Sequence, residues 1–183
     1  PFAVGVRIEH PAGFIDEAQY GQSAARVLPP ASYRLTHRYG RFNVYSFCMC
    51  PGGYVVCASS EWDGMVTNGM SRFARGGDWS NAAIVVNLRP DYVGFDKALD
   101  GMRFQQHLEQ RAFELGGGGF LAPAQRAADF VADQLSGDLP AATYRPGVRS
   151  ADLAELFPTP IVLALKSALN RWNSIMPGFL EKG

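Results

Sequence analysis

Residues 44–70 read VYSFCMCPGGYVVCASSEWDGMVTNGM, and the reading of this stretch decides the fold. Two runs rich in β-branched and aromatic residues, Val44 to Met49 and Tyr54 to Ala58, flank Cys50-Pro51-Gly52-Gly53. Proline presets φ at the second position of a turn, and glycine supplies a positive φ at the third. The stretch is therefore expected to form a β-hairpin with a Pro-Gly-Gly turn. Alternation along its first strand would put Ser46 and Cys48 on one face, and Tyr45, Phe47 and Met49 on the other. A small, polar, glycine-punctuated segment follows, with Thr67-Asn68-Gly69-Met70 as a second tight turn. Two such turns, joined by a short strand pair, can bring backbone amides close to a flat ligand.

Upstream, Phe2, Val4, Val6 and Ile8 alternate with Ala3, Gly5, Arg7 and Glu9, which predicts a half-buried strand from the first residues. With no initiator Met before Pro1, the chain reads as an excised piece. His10-Pro11-Ala12-Gly13 breaks the strand, and Phe14 to Tyr20 is a helical candidate closed by Gly21. Tyr33 to Tyr39 alternates again. Downstream, Asp78 to Asn81 is turn-like, and Ala82 to Leu88 is an apolar run expected to be a strand buried on both faces, stopped by Arg89-Pro90-Asp91.

From Lys97 the period changes to 3.6, with Phe104, Leu108, Ala112 and Leu115 in one stripe ending at Gly116 to Gly119. A second helix is expected over about Pro123 to Leu135, with Ala124, Ala127, Ala128, Val131 and Leu135 on its apolar face. Ser150 would cap a short helical turn to Phe157. Thr159 and Pro160 open a third long helix with Ile161, Leu165, Leu169, Trp172 and Met176 in register. Strands first and helices afterwards predict an α+β fold: a mostly antiparallel sheet over residues 1–95, then a helical lobe over 96–183.

Composition narrows the function classes. The 183 residues carry 17 Lys+Arg against 17 Asp+Glu, so no basic stripe exists to grip a phosphate backbone, and nucleic acid is not an expected partner. With 47% hydrophobic and 19% charged residues and no run approaching the ~20 apolar residues of a membrane span, the chain reads as globular rather than membrane-embedded. Three clustered cysteines do not make a secreted disulfide framework, which points to a reducing cytoplasm.

The motifs FCMCPGG, ASSE and TNGMS resemble the middle region of large bacterial FAD-dependent dehydrogenases of unassigned substrate. PFAVGVRIEHP, AFELGGGGFLAPAQ, TYRPGV and the L-x-x-L-F-P that follows match the same family in the same order, along nearly all of the chain. The resemblance implies a substrate or cap domain inserted between the halves of a Rossmann-type FAD-binding domain, neither half being present here. It implies FAD in the full-length protein, an FAD-binding domain of the same chain as partner, and a small-molecule substrate bound between the two. The isolated piece is expected to be inactive and to bind no FAD. An insert should also bring its two ends to one side, with Phe2 and Pro177 within about 25 Å.

Several motifs invite chemistry and have plainer readings beside it. Cys48-x-Cys50 with Cys57 lacks the C-x-x-C spacing of zinc sites or of helix-borne redox pairs, so no metal is expected. Core or near-core packing leads for these thiols, with lining of a ligand site second. Gly116 to Gly119 follows a helix rather than preceding one, so it reads as a C-cap and connection, not a phosphate cradle. His107 reads as a surface or boundary residue. Arg7, Glu9 and His10 could project together at a strand end, where a plain surface role leads and contact of Arg7 and His10 with an anionic group is second. The candidates for a flavin- or substrate-facing surface are Cys48, Cys50, Pro51, Gly52, Gly53, Thr67, Asn68, Gly69 and Met70, since glycine is needed where backbone approaches a ring. No catalytic residue can be assigned. The alternative is a non-enzymatic α+β domain that binds a small molecule or a partner chain.

Overall fold

The computed structural model describes every residue except 1, 90, 92 and 93. Its centre is a four-stranded sheet in the order β1 (Phe2–Pro11), β6 (Trp79–Leu88), β3 (Phe42–Cys50) and β2 (Thr36–Tyr39). All three pairings are antiparallel, with Val4 opposite Val86 and Val86 opposite Val44. Between β1 and β2 lie the helices α1 (Ala12–Tyr20), closed by Gly21 at φ 77°, and α2 (Gln22–Ala25). The α+β reading holds, with helices and an antiparallel sheet in one chain.

β6 is the central strand, and its alternation explains the core. Ser80, Ala82, Ile84, Val86 and Leu88 are buried on one face, whereas Ala83, Val85 and Asn87 are half-buried on the other. The fully buried face is covered by the long C-terminal helix α5 (Thr159–Ile175), whose Ile161, Leu165, Leu169 and Trp172 all point into the core. Pro160 sits in its first turn, where a missing N–H costs nothing. Trp172 donates from Nε1 to the carbonyl of Thr36 at 3.4 Å, fixing the helix on β2. The strand expected at Ala82 starts earlier, at Trp79, so Asp78–Asn81 is not a free-standing turn. Of the stop expected at Arg89 to Asp91, Pro90 lies outside the described residues.

The hairpin does not form. β4 (Gly53–Cys57) pairs instead with β5 (Thr67–Ser71) in a separate two-stranded sheet. The Phe42–Tyr45 edge of β3 is already taken by β2, and a bulge between Phe47 and Cys50, with Cys48 at φ 44°, turns the rest of the strand. Pro51-Gly52 is therefore a corner between two sheets. Gly52 holds φ 54°, donates to Ser80 Oγ at 3.1 Å and accepts from the Gly77 N–H at 3.1 Å. Thr67–Met70 is likewise strand, not turn.

Helix α3 (Asp100–Gly116) follows its predicted stripe, and Gly117, left-handed at φ 86°, closes it by donating to Glu114 and Phe113 carbonyls. The second helix is far shorter than predicted: α4 spans only Ala127–Val131. Pro123 lies instead in β7 (Ala122–Ala124), paired in parallel with β8 (Val148–Ser150). Its backbone is used by that ladder, and Asp133 at φ 57° ends the helical path, leaving Leu135 exposed. The 3-10 turn at Leu153–Leu156 is capped by Asp152, whose Oδ1 accepts from the Ala154 N–H at 2.9 Å, rather than by Ser150.

The C-terminal residues lie beside the His10 end of β1. The rings of His10 and Phe179 are 4.4 Å apart between centroids, and Gly183 abuts Ile8 and His10. Phe2 pairs with Leu88 at the other end of β1. The strand between Phe2 and His10 measures about 26 Å at ~3.3 Å per residue. The Pro51–Gly53 corner lies at the His10 end, since Gly52 binds Ser80 and Ser80 pairs with His10.

Candidate functional site

Odd-numbered residues of β1 point away from α5, and Arg7 is the most connected of them. Its guanidinium donates from Nη1 to Asn81 Oδ1 at 2.6 Å and from Nη2 to Asn68 Oδ1 at 3.2 Å. A longer contact at 3.5 Å joins Nη1 to the carbonyl of Cys48, which also accepts from Cys50 Sγ at 3.3 Å. Four strands, β1, the bulged β3, β5 and β6, thus meet at one guanidinium. Burial lowers the pKa of Arg7, and the nearby Cys50 and Cys48 thiols oppose that shift.

Gly69 is the point of closest approach. A Cβ there would fall 2.3 Å from Asn81 Oδ1, 2.4 Å from Arg7 Nη1 and 2.8 Å from Cys50 Sγ. Gly52 and Gly53 are crowded in the same way by the Arg75 and Met70 carbonyls. These glycines serve close packing of the chain on itself. Pro51, Gly52 and Gly53 are buried, whereas Cys48, Asn68 and Met70 are exposed and Cys50, Thr67 and Gly69 are half-buried. The core-packing reading therefore fails for Cys48 and Cys57, both exposed free thiols.

Arg7 and His10 are not brought together. Their parity differs, so alternation sends them to opposite faces of β1. His10 is fully buried, its Nε2–H donating to the Phe179 carbonyl at 2.9 Å, and burial lowers its pKa to about 4. Glu9 shares the face of Arg7. Both its oxygens are taken by Thr143: one by the backbone N–H at 3.2 Å, the other by the hydroxyl. That hydroxyl in turn accepts from the Val55 N–H at 2.8 Å, so Thr143 ties β4 to β1.

A cleft of about 520 Å³ runs along β1, lined by every residue from Ala3 to Glu9. Its far wall comes from α3 through Gln105, Leu108, Glu109 and Ala112, and from the segments around Ala122–Ala127 and Leu139–Ala142. Val55, Met65 and Thr67 close it beside the second sheet. Only Arg7 and Thr67 of the predicted residues line this cleft.

Sequence reasoning missed Asn81, because Asp78–Asn81 reads as a turn, and Thr143, although TYRPGV was among the family motifs. It also missed Tyr144, buried beside Cys57. Its hydroxyl donates to the Phe120 carbonyl at 3.0 Å, and burial raises its pKa. The Cys57 thiol, which burial alone would push up, is lowered by hydrogen bonds from Ser59 and Tyr144. Among the described residues no group of three or more metal-ligating side chains gathers, and no helix is long and apolar enough to cross a membrane.

This combination, an antiparallel sheet with a helical cover and a side cleft, is an α+β fold. Over residues 1–183 the chain matches the family described as "FAD-dependent protein, C-terminal domain-like", and it belongs to that family. A protein of Clostridium beijerinckii, described as "Uncharacterized protein", is 43% identical over 186 residues, covering 99% of this chain. The match takes up 35% of that relative's own length, so the chain spans about a third of it. That family's description names an FAD-dependent protein and a C-terminal domain. The glycine run at Gly116–Gly119 does not fit a cradle for the FAD pyrophosphate, since it closes α3 instead of opening a helix.

Proposed function

We propose that this is the substrate or cap domain of an FAD-dependent oxidoreductase, closing over a flavin held elsewhere in the same protein, with a small-molecule substrate between the two. The observation that carries the reading is the exposure of large apolar side chains on and beside the strands that reach Arg7. Phe47, Met70 and Phe73 are 57%, 49% and 105% exposed, on the bulged strand, on β5 and in the loop that follows it. Large side chains exposed on adjoining segments mark a surface that another body covers. Cys48, Asn68 and Met70 are exposed, while Pro51, Gly52 and Gly53 are buried. The cofactor would supply the redox chemistry; this chain's part is to position the substrate and exclude water.

The test uses the longer protein. Met70→Asp and Phe73→Asp are expected to lower the FAD retained after purification, read from the visible spectrum. Amides of residues 67–75 should exchange slowly with deuterium in the unaltered protein. Fast exchange there, with FAD retention unchanged in both variants, would overturn the docking surface and favour the non-enzymatic binding domain.

A further inference from the structure

We infer that the cleft along β1 binds a small apolar acid, with its carboxylate at the Arg7 end and its hydrocarbon or aromatic body over the small residues of the sheet. The volume, about 520 Å³, falls within the ~300–1,000 Å³ typical of small-molecule sites. Part of the lining leaves space: Ala3, Gly5 and Ala83 carry almost no side chain, and Leu108 and Ala112 of α3 line the same cleft. Gly5 is also held to glycine by its neighbours, since a Cβ there would lie 1.8 Å from the Ile84 carbonyl oxygen.

The cleft is lined by the carboxylates of Glu9 and Glu109 and by three basic side chains, and each carboxylate already accepts a hydrogen bond. Glu9 has both oxygens engaged by Thr143, and Glu109 accepts from Gln105 Nε2 at 2.8 Å. Arg7, by contrast, keeps a buried Nε with no partner among the described residues, and the Nδ2 of fully buried Asn81 behind it is also unpartnered. Arg126 and Lys182 line the cleft as well, and neither has an ion-pair partner among the described residues. Their placement is polarised. The Ala127 N–H donates to the Gly183 carbonyl at 3.2 Å, and Gly183 abuts the Ile8 and His10 side chains, so Arg126 and Lys182 stand at the Ile8–His10 end of β1, across the edge of the strand from Arg7.

A ligand that completes this site brings acceptors and negative charge at one end and apolar surface along the rest. A carboxylate satisfies a guanidinium with two charge-assisted bonds. A metal cation would meet three basic side chains, and a small hydrophilic anion would leave the apolar walls uncovered. The inference rests on the proposed function only in naming this ligand as the substrate; binding itself is read without turnover.

Decanoate and 2-naphthoate are the probes, titrated into the longer protein by calorimetry, with decan-1-ol as the neutral control. At least one acid should bind saturably and at least tenfold more tightly than the alcohol. Arg7→Met and Arg126→Gln should each weaken that acid about tenfold, as loss of a charge-assisted bond implies, and leave the alcohol unchanged. Arg126 has no ion pair to lose, so its variant separates binding from folding. Binding of neither acid, equal binding of acid and alcohol, or unchanged acid affinity in both variants would overturn the inference. FAD content measured on the same samples keeps this outcome separate from failure of the docking surface.

Discussion

The two faces of β1 and β6 are built from the same strands and do opposite work. On the even face, Ile8, Ile84, Val86 and Leu88 are buried beneath α5 with nothing polar but His10 and Ser80. On the odd face, Gly5, Arg7, Glu9, Asn81 and Ala83 combine small residues with charges and amides, and all of them but Asn81 line the cleft that runs along β1. A period of two lets one stretch of chain supply a dry core and a functional surface at once. The difference shows that stability should reside mostly on one face and ligand chemistry on the other.

The largest expected effect lies on the even face. Leu165 is fully buried in the centre of α5, so Leu165→Ala should cost about 2–5 kcal/mol, measured by chemical denaturation. A loss below ~1 kcal/mol would mean that α5 is not the main cover of the sheet.

His10 should add an acid-sensitive component to the same face. Its pKa falls from the ordinary 6.5 to about 4 through burial, with the Phe179 hydrogen bond opposing. The unfolded chain therefore takes up the proton first. Stability is full above the unfolded value and is lost as pH falls from about 6.5 to 4, by on the order of 3 kcal/mol. Melting temperatures over that range, compared with His10→Leu, should show a steeper decline in the unaltered protein. Parallel curves would show that His10 is not buried as neutral imidazole.

The smallest expected effect sharpens the odd face. Gly69→Ala would force Asn81, Arg7 and Cys50 apart, at roughly 1–3 kcal/mol, the usual range for overpacking. If the cluster forms the site, ligand affinity should fall by more than the stability loss explains. A variant with normal stability would show that β5 does not press on Arg7.

Much of the fold could be read locally. The alternation from Phe2 to Glu9, the stripe of α3 and the stripe of α5 are periodic patterns over eight or more residues, and each appears where the pattern puts it. Elements specified by punctuation alone fared worse. The Pro-Gly-Gly turn is real as a corner, yet turn chemistry does not say which strand the chain joins after it. The opening proline predicted for the second helix became part of a strand ladder, because a partner at Val148–Ser150 was available. Arg7 was visible as a candidate, and its separation from His10 was already implied by their odd and even positions.

The sequence by itself determined the periodic strands and helices, the absence of a dinucleotide fingerprint, and the family motifs spread along the chain. Those are properties of neighbouring residues, set by side-chain period and backbone preference. Only the tertiary structure decided that β4 pairs with β5, that Cys48 bulges, and that Arg7 meets Asn68 and Asn81 across 61 and 74 residues of chain. Strand pairing depends on which sheet edges remain open once the other strands are in place. That competition is non-local, so the site it assembles exists only in the folded chain.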